Sequence, residues 1–220
     1  MDDDMTRLLE GRVALVTGGG RGVGRGICLA LAEAGAKVVV NDLGGSGAGE
    51  GADSTPAQEV VDEIKAAGGE AVANYDDCAS WAGGESMVQQ AIDTFGRLDV
   101  LICNAGILRD KMSFNMSEEE FDAVIRVHLK GHFAPTRAAV AHWRDRTKAG
   151  EEAQARIINT SSGAGLMGSV GQGNYSAAKA GIAALTLVES AEFARYGVTA
   201  NAIAPAARTR MTEQVFATTM

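Results

Sequence analysis

Residues 12–35 read RVALVTGGGRGVGRGICLALAEAG, and this stretch decides the fold. RVALVTG is a short β-branched run stopping on glycine, the mark of a buried strand. GVGRGICLALAEAG carries apolar residues at helical spacing and ends on a glycine stop. Between them GGGRGVG, residues 18–24, turns the chain from strand to helix. Glycines at such a turn let backbone approach a phosphate closely, and the helix's first N–H groups can receive it. A glycine cluster alone also fits an ordinary tight turn, so the neighbouring pattern has to decide.

That pattern repeats downstream. KVVVND (37–42) is a second strand. STPAQEVVDEIKAAGG (54–69) is a helix with a Ser-Thr-Pro start and a Gly-Gly stop. EAVANYD, ESMVQQAIDTFG and LDVLICNAG give strand, helix, strand. A long helical region runs from about Ser117, RIINTSS is a fifth strand, NYSAAKAGIAALTLVESAEFARYG a long helix, and VTANAIAP a sixth strand. This alternation calls for a doubly wound, Rossmann-type parallel α/β sheet with helices on both faces. The continuously apolar VALV, VVV and VLI suit strands buried on both sides. LGGSGAGEGADS (43–54) reads as a mobile loop and RDRTKAGEEAQA (144–155) as an exposed extension. One domain over residues 1–220 is expected, with a further strand and a substrate loop lacking after TEQVFATTM.

Composition narrows the function. The 220 residues hold 28 Gly and 3 Pro, and the net charge of −8 opposes nucleic acid and anionic membrane as partners. Cys28, Cys78 and Cys103 have no CxxC spacing and read as reduced thiols of a cytoplasmic protein. His128, His132 and His142 lack companions at ligand spacing, so no metal site is expected. MDDDMTRLLEG is acidic where a secretory leader is basic, Met5 is a second candidate start, and no apolar run approaches ~18 residues.

Asp42 lies 18 residues beyond Gly24, near the spacing of a ribose-binding acid. A carboxylate there accepts ribose hydroxyls and repels a 2′-phosphate, which favours NAD over NADP. Arg21 speaks the other way if it meets a 2′-phosphate, or it caps the helix or stands in solvent. Asn104–Ala105–Gly106 and Ser161–Ser162 follow the fourth and fifth strands. Tyr175 and Lys179, four apart, share one helix face.

TGGGRGVG, CNAG, Ser162 thirteen positions before Tyr175, YSAAK and NAIAP together resemble the short-chain dehydrogenase/reductase family over roughly residues 10–212. VVVNDLGG, AVANYD, NAGILRD, RVHLKGHF and TRMT resemble its (3R)-hydroxyacyl-CoA dehydrogenase branch, found in peroxisomal multifunctional β-oxidation enzymes. The resemblance implies an NAD(H)-linked interconversion of secondary alcohol and ketone. Tyr175 would serve as general acid in reduction and general base in oxidation, since a neighbouring ammonium favours phenolate. Lys179 would tune that phenol and hold the nicotinamide ribose, and Ser162 would stabilise charge on the substrate oxygen.

By the same resemblance Gly18, Arg21, Gly22, Val23 and Gly24 form the phosphate turn, and Asn104, Ala105 and Gly106 a pocket wall or merely a strand-ending turn. Asp76 meets adenine or is a solvated loop acid. Pro205 meets the nicotinamide, although Ala206 stands where the family has glycine. His128 replaces a relay asparagine, either ordering water with a pH response near its ordinary ~6.5 or filling helix–helix space. Arg109 and Lys111 either dock an anionic thioester carrier or are plain loop charges. The expected substrate is a small molecule, with an acyl-CoA as the candidate, and the expected assembly a homotetramer or homodimer pairing through GHFAPTRAAVAHW and NYSAAKAG. An NADPH-dependent 3-oxoacyl carrier-protein reductase and a non-catalytic NAD-binding regulator are the alternatives.

Overall fold

Extended segments satisfy their backbone groups by pairing with one another, and six of them do so in a single sheet whose middle strands are continuously buried. The computed structural model describes residues 7–207. Its strands are β1 (Val13–Thr17), β2 (Lys37–Asn41), β3 (Ala71–Asn74), β4 (Val100–Cys103), β5 (Ala155–Thr160) and β6 (Val198–Ile203). All pair in parallel, in the order β3-β2-β1-β4-β5-β6.

Side chains alternate across this sheet. Val13, Leu15, Leu101 and Ile157 pack with Met87 of α3 (Trp81–Phe95) and Trp143 of α5 (Gly131–Lys148). Ala14, Val16, Val38, Val40 and Ile102 pack with Cys28 of α1 (Gly22–Glu33) and with Val60, Val61 and Ile64 of α2 (Thr55–Ala66). Each fully buried Val or Leu contributes about 1.5–3 kcal/mol relative to exposure, so the two layers fix the sheet firmly. The remaining helices are α4 (Glu118–Ile125), α6 (Gly163–Met167) and α7 (Gly173–Phe193).

Four local readings need correction. The third helix starts at Trp81, because the Ser80 hydroxyl accepts from Gly83 N and caps it there. Residues 144–148 are helix, not extension. Trp143 is fully buried and donates Nε1–H to Leu98 O at 2.7 Å, which holds the last turns of α5 down. The long helical region is interrupted by a π-helical turn over Arg126–Lys130, where Gly131 N–H reaches back five residues to Arg126 O. Finally, the loop of residues 43–54 is tied at several points. Asp53 N donates to Leu43 O, Leu108 N to Gly47 O, and Arg109 Nε to Ala48 O. TRMT and the last nine residues, TEQVFATTM, lie outside the described residues.

The strand order reverses between β1 and β4. Connections leave the carboxyl ends of these two strands toward opposite faces, and a crevice opens there.

Candidate active site

The floor of the crevice is backbone. Gly18 has φ +64°, and a Cβ there would stand 2.7 Å from Ala105 Cα. A Cβ on Gly24 would stand 2.0 Å from Gly18 O, so the turn closes on α1 only with glycine at both places. Asn104 staples the turn to β4. Its Nδ2 donates to Gly18 O at 3.1 Å, and its backbone N donates to Thr17 Oγ1 at 3.0 Å. No side chain caps α1, and Gly22 and Val23 of its first turn line the cavity. An uncapped helix start with its aligned dipoles favours an anion.

At the end of β2 the Asp42 carboxylate is oriented by two backbone donors, Gly20 N at 2.9 Å and Gly44 N at 2.7 Å. Arg21 does not stand in solvent, for its Nη1 donates to Gly45 O at 3.0 Å. Asp76 lies just past β3 on the cavity wall, where its Oδ2 accepts from Asn74 Nδ2 at 2.8 Å.

Side chains build the opposite end. Ser162 is the N-cap of α6, its Oγ accepting from Ala164 N at 3.2 Å, and it hydrogen-bonds the Tyr175 side chain as well. One turn along α7 from Tyr175, Lys179 is buried and donates Nζ–H to Thr160 O at 2.6 Å. The same Nζ lies 5.5 Å from the Tyr175 ring centroid. Ser161 Oγ donates to Lys179 O at 2.8 Å, so both serines after β5 hold the start of α7. The His128 ring meets Tyr175 edge-on at 5.1 Å, and its Nε2 lies 2.8 Å from Ile107 O.

Burial governs the charges here. It pushes Lys179 down to about 7. The Tyr175 phenol is raised, chiefly by burial, with the Ser162 hydrogen bond pulling the other way. In the chain by itself the adjacent ammonium therefore does not make this phenol acidic: burial dominates, and the Asp110 charge adds to it. His128 drops to about 3 through burial and the Lys179 charge, so it stays neutral and has no pH response near 6.5. Its Nδ1 is buried without a partner among the described residues.

The cavity, about 430 Å³, is lined by every expected site residue except Gly24, whose part is to close the turn beneath it. Arg109 and Lys111 are ion-paired to Glu119 and Glu120, which supports their reading as loop charges. Sequence reasoning missed Thr17, Thr160 and Asn174, and placed Ser161 after the fifth strand without giving it a role. Asn174 donates to Arg109 O and Glu120 O and so fixes the helix start beneath Tyr175. The TG pair after β1 and the Asn just before YSAAK were the available signals.

A doubly wound sheet with a glycine turn at its switch point and an acid ending β2 defines a dinucleotide-binding class of protein. The sequence model described as short chain dehydrogenase matches residues 12–219, and the chain belongs to that family. It is 51% identical to hydroxyacyl-CoA dehydrogenase ChsB1 of Mycobacterium tuberculosis, over 94% of this chain and 65% of that protein. It is 50% identical to peroxisomal multifunctional enzyme type 2 of Mus musculus, over 94% of this chain and 27% of that protein. Thus the chain spans about two thirds of the first relative's length and about a quarter of the second's. Among solved structures, a short chain dehydrogenase from Mycobacterium avium matches with TM-score 0.86 and 63% identity, over 93% of this chain and 70% of that one. The resemblance to the hydroxyacyl-CoA dehydrogenase branch is thereby borne out.

Proposed function

We propose that the chain is the catalytic domain of an NAD(H)-dependent oxidoreductase that interconverts a 3-hydroxyacyl thioester and its 3-oxo form. One observation carries this reading: Ser162, Tyr175 and Lys179 line the same cavity as the glycine turn and Asp42. The residues fit a dinucleotide, since the glycine turn and the uncapped start of α1 line one cavity with Asp42. The turn and the start of α1 would hold the pyrophosphate, and Asp42 the adenosine ribose. Asp76 would lie by the adenine, Asn104, Ala105 and Gly106 along the wall, and Lys179 and Pro205 at the nicotinamide end.

A bound nicotinamide cofactor would supply hydride transfer at the carbinol carbon and, when oxidised, a positive charge beside the phenol. As phenolate, the form such a positive charge favours, Tyr175 Oη would take the substrate's hydroxyl proton in oxidation and, as phenol, return it in reduction. Ser162 Oγ donates to the substrate oxygen as its negative charge grows. Lys179, with ammonium and amine forms balanced near neutrality, supplies positive charge next to the phenol as the site polarises. His128 stays neutral, packs against the phenol ring and keeps Nδ1 available for water.

Asp42 favours NAD, because a 2′-phosphate would meet a carboxylate fixed by two backbone donors. The carrier-protein reductase alternative drew on Arg21, and that side chain is engaged elsewhere. For assembly, α7 exposes Ala177, Ala180, Ala184, Leu187, Val188 and Ala191, with Leu187 75% accessible. A helix apolar on nearly all sides belongs between partners, which supports a homodimer or homotetramer. Among the described residues no helix is long and apolar enough to cross a membrane. The three buried free thiols suit a reducing compartment, and the cytoplasm is our assignment.

The test is a panel of secondary alcohols, polyols and (3R)-hydroxyacyl-CoA thioesters offered to the full chain with NAD and followed by NADH absorbance. Turnover concentrated on the thioesters is expected. NADH binding without turnover across the whole panel would leave the regulator reading in its place.

A further inference from the structure

The glycine-rich segment 43–54 bridges two parts of the crevice. At its base Asp53 N donates to Leu43 O at 3.0 Å, so the segment closes on itself like a strap. One limb carries Gly44, which orients Asp42, and Gly45, whose carbonyl accepts from Arg21. The tip, Ser46–Glu50, forms a turn anchored to Leu108 N and to Arg109 Nε. Gly45 and Gly47 line the cavity next to the adenosine end. Arg21 also lends its field to Asp53, whose carboxyl is lowered mainly by Thr55 and in part by this guanidinium.

We infer that this strap is a specificity element: by engaging Arg21 at Gly45 O it leaves Asp42 as the dominant charge facing the adenosine ribose, and so sets NAD over NADP. The inference rests on the NAD reading above and extends it to a device outside the glycine turn. Its physical basis is competition for one cation. A guanidinium released beside Asp42 would offset the carboxylate and offer paired donors to a 2′-phosphate. Held between a carbonyl and the field of Asp53, it does neither. Because the tip is tied to the segment after β4, the hold depends on contacts remote from Arg21 in sequence.

The test is calorimetric titration of the full chain with NADH and NADPH in four forms. These are the unaltered chain, a chain with residues 45–51 replaced by two glycines, Arg21→Ala, and the combination. The unaltered chain should bind NADH more tightly. Shortening the strap should narrow the NADPH-to-NADH ratio of Kd values about tenfold, as one charge-assisted hydrogen bond would. Adding Arg21→Ala should restore the ratio, whereas Arg21→Ala alone should change both affinities alike. An unchanged ratio in the shortened form would overturn the inference and leave the NAD reading standing. So would a selective loss of NADPH in Arg21→Ala with the strap intact, a comparison that decides the matter even if the shortened chain does not fold. Tighter NADPH binding by the unaltered chain would sink the NAD reading, and this inference with it.

Discussion

The two ends of the crevice are made of different materials. At the end built around the glycine turn, backbone does nearly everything: the turn itself, the open start of α1, and two N–H groups that aim Asp42. At the other end, side chains from β5, α7 and the π-helical turn meet, and burial shifts their protonation. The glycine turn at that end is rigid because it is backbone closed tightly on itself and on β4. The side-chain end is responsive because Lys179 sits near its balance point, so a charge arriving there has a large effect.

The sharpest way to separate the ends is Tyr175→Phe. It should lower kcat by about 10³-fold while leaving the Kd for NADH within about twofold, since only the proton-transfer group is lost. Retained turnover would show that the side-chain end has been misassigned. Gly24→Ala strikes the backbone end. With a methyl forced within 2.0 Å of Gly18 O, the turn must open, at a cost of about 1–3 kcal/mol in denaturant unfolding and with a loss of cofactor affinity. Unchanged stability there would mean the turn is less tightly closed than the geometry shows.

A third probe tests burial itself, away from the cavity. Glu189 on α7 is buried against Asn159, whose Nδ2 donates to it at 2.7 Å, and burial raises its carboxyl to about 7. The native chain therefore keeps a proton that the unfolded chain gives up near its ordinary 4.5. This contribution is whole below about pH 4.5 and is lost as pH rises through about 7. Relative to the unaltered chain, Glu189→Gln should gain roughly 2 kcal/mol of stability between pH 5 and pH 8. Parallel stability curves would refute a buried, protonated Glu189. The smallest effect is expected from His128→Asn, a severalfold drop in kcat with the limbs of the pH–rate profile unmoved, because His128 does not titrate near neutrality. A limb near pH 6.5 that vanishes in this variant would restore the pH-sensing role.

What could be read from the sequence follows the same division. VALV, VVV and VLI announce buried parallel strands, and GGGRGVG announces its turn, because those signals are local and steric. YSAAK was legible as a pair, since four residues on a helix always bring side chains together. The direction of the Tyr175 shift was not legible, because burial is a property of the packed whole. The strap was read as mobile because the partners that pin it, Arg21, Leu108 and Arg109, lie far off along the chain. RDRTK was mistaken for an extension because its charge says nothing of Trp143, which anchors the turn before it.

The π-helical turn at Arg126–Lys130 has one more consequence, for chain length. Such a turn holds one residue more than an ordinary helical ladder needs. The wide turn absorbs that extra residue locally, so the helix beyond it keeps its facing and Trp143 still meets Leu98 O. A chain one residue shorter could close the same stretch as ordinary helix with Trp143 in place, but it would redraw the turn that sets His128 against Tyr175. The extra residue thus bears on the crevice and leaves the core beyond it untouched.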